Sequence, residues 1–325
     1  MNHLFRTARV LLALAVTAVS APMVRAQATT DFPTRPVQVV VPFAAGSGTD
    51  ALARLIGERL AARWGQPVVV DNKPGAGGNL GAEIVFRARP DGHTLLFMPG
   101  PFIQKTLYPD LRFDYENFVI LSAVATGYSV LVANPKLPAQ TLPELIAYAR
   151  ANPDKLNYAS QGPGSVAHLT GEMFKAMADV KVTHVPYKGN APALNDLVAG
   201  QVDIMFINFG SALPYLKSGR LRGIALGSEK RSSSLPQLPT VAETLPGFVS
   251  MVWWAMFAPP ATPTPIASRI SAGVNEALRS TEVAAWLSTN TFDAVGGTLA
   301  DAAQLLRQDN ARWVKVVKEA GIKGE

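Results

Sequence analysis

Residues 37–55 read VQVVVPFAAGSGTDALARL, and they decide the fold. The stretch opens as a β-branched apolar run, Val37, Val39, Val40 and Val41, and breaks at Pro42. A loop of small residues follows, Ala44-Ala45-Gly46-Ser47-Gly48. It leaves as a helix with Leu52, Leu55 and Ile56 at helical spacing. A strand–glycine loop–helix junction aims unbonded backbone N–H groups and the positive end of a helix dipole at one point, where an anion can sit.

Much of the remaining chain repeats this unit. Residues 68–70 (VVV) read as a second buried strand, opening into glycines at 72–79 and then a helix over 80–88. A third strand at 94–98 ends in Pro99-Gly100-Pro101. Alternating strands and helices imply βαβ units, a parallel sheet, and a ligand-binding edge at the carboxyl ends of the strands. A long strand at 121–133 carries the first crossing between two lobes, and Thr141 with Glu144 forms a capping box. The opening unit then recurs: strand 156–159, loop Gln161-Gly162-Pro163-Gly164, helix 165–178. Strand 180–185 ends in Pro186-Tyr187-Lys188-Gly189, helix 191–199 follows, and strand 202–207 ends at Asn208. Strands at 221–226 and 252–257 (VWWAMF) lead back, and helices near 266–278, 283–288 and 299–320 finish the chain. The expected division is a signal peptide at 1–26, a first lobe at 27–126 returning as 249–325, and a second lobe at 127–248.

Length and composition agree. A chain of 325 residues with 48% hydrophobic content can bury two compact cores. Arg6 and Arg9, the apolar run 10–21 and Val24-Arg25-Ala26 read as a cleavable export signal, with Gln27 the expected mature N-terminus. Without cysteine there are no disulfides, no thiolate chemistry and no Cys-ligated metal, which suits a bacterial periplasm. Removing Arg6, Arg9 and Arg25 from the 30 Lys and Arg leaves 27 against 24 Asp and Glu. A scattered balance of +3 lacks the basic clusters of a nucleic-acid binder.

Chemistry by covalent steps is poorly supported. Gly162-Pro163-Gly164-Ser165-Val166-Ala167 fits G-x-G-x-x-G/A, but the acid expected about 20 residues on is absent. There is no P-loop and no G-x-S-x-G elbow. His93 reads as solvated in a turn, and His168 as structural or cleft-lining, without metal-binding spacing. Asp50 reads as helix capping, Trp253 and Trp254 as core, and Lys188 as a solvated loop residue. No metal, no cofactor and no catalytic residue is expected. What remains is a set of small-residue loops, 42–49, 74–79, 99–102, 160–165 and 187–190, suited to holding a small anion.

At these residues the sequence resembles the Bug-type periplasmic solute-binding proteins of tripartite tricarboxylate transporters. The matching segments are FPTRPVQVVVPFAAGSGTDALARL, GQPVVVDNKPGAGGNLGAE, PDGHTLLF, NYASQGPGSVAHLTGEMFK, VTHVPYKGNAPALNDLVAGQVDIMF, SALPYLKSGRLRGIAL, LPTVAE and RWVKVVKEAGIK. The resemblance implies a type II periplasmic-binding-protein fold, two α/β lobes joined by crossing strands with the ligand cleft between them, closing like a hinged clamp. It implies first-lobe contacts from Phe43, Ala44, Gly46, Gly48 and Thr49 with Asn79 nearby. Second-lobe contacts would be Ser160, Gly162, Gly164 and Ser165, with Tyr187 and Asn208 as cleft residues. It also implies a monomer that captures a small organic carboxylate and delivers it to membrane permease subunits. The sequence departs from the family at AAGSGTD, where Pro-Gly-Gly is usual, and at Ile207-Asn208-Phe209, where Asp-Asn-Leu is common. In a third place, residues 98–109 replace a Ser/Thr/His/Asn-rich segment. This last change points to a more apolar or aromatic acid, with Phe102 as one wall. Two other readings share the pattern: a sensor docking on a histidine-kinase receptor, and an exported hydrolase using Ser165, which requires a base within about 3 Å of that hydroxyl.

Overall fold

The computed structural model describes residues 32–100, 102–232, 235–319 and 321–322, so the expected export signal lies outside the described residues. The element order is β1 (Val37–Val41), α1 (Gly48–Trp64), β2 (Val68–Asn72), α2 (Asn79–Phe86), β3 (Thr94–Pro99) and the single-turn α3 (Gln104–Leu107). Then come β4 (Val119–Ala133), α4 (Leu142–Ala151), β5 (Asn157–Ser160), α5 (Val166–Ala178), β6 (Thr183–Pro186), α6 (Asn190–Ala199), β7 (Ile204–Asn208) and α7 (Phe209–Lys217). The chain ends with β8 (Arg222–Leu226), β9 (Met251–Ala258), α8 (Thr264–Leu278), α9 (Thr281–Thr289), β10 (Asp293–Gly296) and α10 (Leu299–Glu319). These give the type II periplasmic-binding architecture, a mixed α/β fold.

The strand order is β2-β1-β3-β9-β4-β7-β5-β6, with β10 and β8 also pairing β4. The expected parallel sheet exists only locally, within β2-β1-β3 and β6-β5-β7. Everything that touches β4 or β9 is antiparallel. The reason is β4 itself. Its first ten residues pair β9, and its last five, from Ser129, pair β7 and β8. One strand therefore belongs to both halves of the sheet. At the changeover Ser129, Gly227 and Ser250 bond backbone to backbone, tying β4 to both ends of the returning connection: Ser129 N–H to Ser250 O at 3.1 Å, Gly227 N–H to Ser129 O at 2.7 Å and Ser250 N–H to Gly227 O at 2.7 Å.

Strand periodicity builds the core. Val37, Val39 and Val41 of β1 enter one apolar layer with α1 and α8, and Val40 enters the opposite layer. Ile204 and Phe206 of β7 face one layer of the second half, and Met205 and Ile207 face the other. Side chains alternate across the pleat, so each strand seals two layers. The 68–70 run differs from expectation. It is an edge strand, not a buried one, and Val69 is 53% exposed. Three consecutive valines carry no mark of whether a strand is central or terminal.

Three elements had no counterpart in the sequence reading, the single-turn α3 among them. Helix α7 carries Pro214, which reads as a breaker. Strand β10 is four residues long and pairs the middle of β4. His93 is buried rather than solvated: its ring packs edge-on to Phe32 at 5.0 Å, and Nε2 accepts from the Thr34 amide at 3.3 Å.

Candidate functional site

One cavity of about 320 Å³ is lined from all five small-residue loops. Phe43 to Thr49 come from the β1–α1 junction, Gly77 from the turn before α2, and Pro99 and Gly100 from the end of β3. Gln161, Gly164 and Ser165 come from the β5–α5 junction, and Lys188, Gly189 and Asn190 from the β6–α6 junction. The 42–49 and 160–165 turns thus share one crevice.

Four helix N-termini meet there. Ser47 caps α1 with φ −70° and ψ 159°, its Oγ accepting from the Asp50 amide at 3.2 Å. Ser165 caps α5 with φ −70° and ψ 160°, its Oγ accepting from the His168 amide at 3.3 Å. Each hydroxyl engages only the third amide of its helix. The amides of Gly48 and Thr49, and of Val166 and Ala167, have no hydrogen-bond partner among the described residues. Asn208 caps α7, its Oδ1 accepting from the Ser211 amide at 3.3 Å. Helix α6 begins at Gly189, which has no side chain to cap it. Each helix end carries roughly half a positive charge. Among the described lining residues there is no Asp or Glu, and the one cation is the exposed Lys188.

Asn208 is the most specific feature. It is 8% exposed, and its Nδ2 is buried without an acceptor. A buried amide N–H left unbonded costs about 1–3 kcal/mol, so a ligand oxygen at this point would recover that loss.

Of the residues anticipated from sequence, Phe43, Ala44, Gly46, Gly48, Thr49, Gly164, Ser165 and Asn208 line the cavity, and Asn79, Ser160, Gly162 and Tyr187 do not. Ser160 is fully buried, with Oγ 2.7 Å from His184 Nε2. The Gly162 amide bonds back to that same Oγ at 3.0 Å. The Tyr187 hydroxyl donates to Asp196 at 2.7 Å, and burial together with that carboxylate pushes its pKa up to about 12. Asn79 starts α2, its Oδ1 buried and without a partner. Phe102 is not a cleft wall either. It is 1% exposed in an aromatic cluster with Tyr115, Trp253 and Phe257.

Several loop amides expected to face a ligand point inward instead. The Gly46 amide donates to Asp50 Oδ2 at 2.9 Å, and the Gly164 amide donates to His168 Nδ1 at 3.1 Å. Buried backbone donors must be satisfied, and a glycine loop uses nearby side chains to do it. Asp50 organises the first loop: it also bonds Arg54, and it bonds Asn72 Nδ2, which reaches Phe43 O at 3.0 Å. Burial raises the Asp50 pKa, but hydrogen bonds from Arg54, the Gly46 amide and Asn72 outweigh it and hold the carboxyl below the ordinary value. The Ser165 oxygen takes a backbone amide, and His168 Nδ1 takes the Gly164 amide. His168 does not line the cavity; its ring lies 4.5 Å from that of His184.

Trp254, Phe292, Ser211, Val166 and Ala167 line the cavity without having been anticipated. Alternation along β9 separates the two tryptophans. Trp253 turns into the core and donates to Asp309 at 2.9 Å, while Trp254 faces the cleft and donates to Thr49 Oγ1 at 3.0 Å. Ser211 was legible in principle, since Asn208 three residues earlier is a helix-start spacing.

Residues 52–322 match the sequence profile described as the tripartite tricarboxylate transporter family receptor. The protein BugT of Bordetella pertussis is 36% identical over 297 residues, covering 90% of this chain and 91% of the relative. Among solved structures, R. palustris Rpa4515 with adipate superposes with a TM-score of 0.85 at 36% identity, over 90% of this chain and 99% of that one. MatC from Rhodopseudomonas palustris with bound malate gives a TM-score of 0.83 at 36% identity, over 88% of this chain and 100% of that one.

Proposed function

Because the chain belongs to the tripartite tricarboxylate transporter family of receptors, we propose that it is a periplasmic solute receptor that captures a small organic carboxylate and passes it to membrane permease subunits. It acts as a monomer, is exported by a signal peptide ending at Ala26, and carries out no covalent chemistry. The observation that carries this reading is a cavity ringed by four helix N-termini, with no acidic side chain among its described lining residues and one buried, unbonded amide donor. Such donors favour a carboxylate without a fixed counter-ion, at about 1.5–3 kcal/mol for each hydrogen bond to charge. Adipate in one structural relative and malate in another agree with that chemistry.

A thermal-shift screen of the purified mature protein against organic acids tests the reading. A ligand at 100 times its dissociation constant adds about 2.7 kcal/mol to stability and raises the melting temperature. A folded protein whose melting temperature no organic acid moves would end the carboxylate assignment.

A further inference from the structure

We propose that the acid this cleft takes is a monocarboxylate with an aromatic body, in preference to a dicarboxylate. The proposal rests on the carboxylate reading above and names the class of acid. The uncommitted donors include the helix N-terminal amides and Asn208 Nδ2, and Ser211 and Tyr215 of α7 bring further hydroxyls to the lining. Beside Asn208 Nδ2 the wall turns aromatic. A Cβ placed on Gly127 would lie 2.9 Å from Phe292 Cδ1 and 3.1 Å from Asn208 Nδ2, so ring edge and amide are neighbours. The Phe292 ring sits 4.6 Å from that of Trp254, tilted by 51°. Trp254 has its only polar atom engaged by Thr49, so it presents carbon to the cavity.

Phe43, Met98, Phe206 and Val252 add further lining without a donor. Two lining hydroxyls are engaged within the protein: Ser129 Oγ donates to Ser250 O at 3.3 Å, and Thr170 Oγ1 lies 2.7 Å from Ser250 Oγ. A second carboxylate against this wall would lose its hydration without gaining a partner. Lys188, the one cation among the described lining residues, is exposed and precedes the α6 N-terminus, with the donors. A ring suits the wall, since aromatic groups pack edge-to-face or offset at about 4.5–7 Å between centroids. At about 320 Å³ the cavity lies at the small end of the roughly 300–1,000 Å³ usual for small-molecule sites.

Isothermal titration of the mature protein with benzoate, phenylacetate, adipate and malate decides the matter. The expected result is that at least one aromatic acid binds ten-fold or more tighter than either dicarboxylate. Phe292→Asn, which places a polar group on the wall, should weaken that aromatic acid at least ten-fold. Val252→Thr, nearly isosteric, should weaken it three-fold or more and serves as the probe if Phe292→Asn does not fold. Tighter binding of adipate or malate than of both aromatic acids would overturn the class while leaving the carboxylate receptor standing. Aromatic affinity unchanged in a folded wall variant would overturn the wall. A folded wild-type protein that binds none of the four, nor any acid in the thermal screen, would overturn both readings.

Discussion

Asp50 and Asn208 show how single side chains shape a site built mainly from backbone. Asp50 does not line the cavity, yet it holds Gly46, Arg54 and Asn72, and so fixes the first loop. Folding lowers its pKa below the ordinary 3.8, so folding favours the charged form. That stabilisation is present above the ordinary value and is lost as pH falls through the folded one. Asp50→Asn should therefore destabilise the protein by about 1–3 kcal/mol at pH 7. Urea unfolding of both proteins from pH 7 to pH 3 should show the gap constant at first and shrinking below the ordinary carboxylate value. Asn208 has two roles on two atoms: Oδ1 caps α7, and Nδ2 is buried without an acceptor in a residue that lines the cavity. Asn208→Asp keeps the cap and replaces the donor with an anion. Its melting temperature should stay near wild type, while calorimetry should show carboxylate affinity reduced by roughly 10- to 100-fold, the worth of one hydrogen bond to charge.

At the scale of elements, β1–α1 and β5–α5 were legible because both run through small residues into helical spacing, with a β-branched strand marking the first unit and glycines on either side of Pro163 marking the second. The neighbouring element α7 was not, because Pro214 argues locally against a helix that tertiary packing stabilises. Helix α10 shows what long-range packing adds. Its Trp313 is 1% exposed among Leu169 of α5, Ile103 and Leu107, so the C-terminal helix joins segments distant in sequence. Trp313→Ala leaves a cavity at that junction and should cost about 3–5 kcal/mol, measured by denaturant unfolding. The edge position of β2 belongs here too: Val69 lies outside the core although its triplet is as apolar as that of β1.

For the molecule as a whole, the β1–α2 side and the β5–α5 side meet at backbone beside the cavity. Gly77, with φ 62°, stands so close to the Pro163 carbonyl oxygen that a Cβ there would overlap it. Gly77→Val should prop the halves apart. The expected outcome is ligand affinity lowered ten-fold or more, with a radius of gyration by X-ray scattering larger than that of the wild-type protein. Gly219→Val is the control. Its φ of 68° imposes similar backbone strain, but no atom lies within 4 Å of its Cβ position, so affinity should hold.

The sequence by itself determined the paired strand–loop–helix units, the capping role of Asp50 and the small-residue loops. Each of these is a local property, set by side-chain branching, capping chemistry and period. Only the tertiary structure decided that β4 serves both halves, that α6 and α7 bring two more helix ends to the cavity, and which loop amides stay uncommitted. It also decided that Trp254 and Phe292, not Phe102, form the aromatic wall. These outcomes depend on strand order and on competition among distant groups for the same donors. Spacing along the chain does not record that competition.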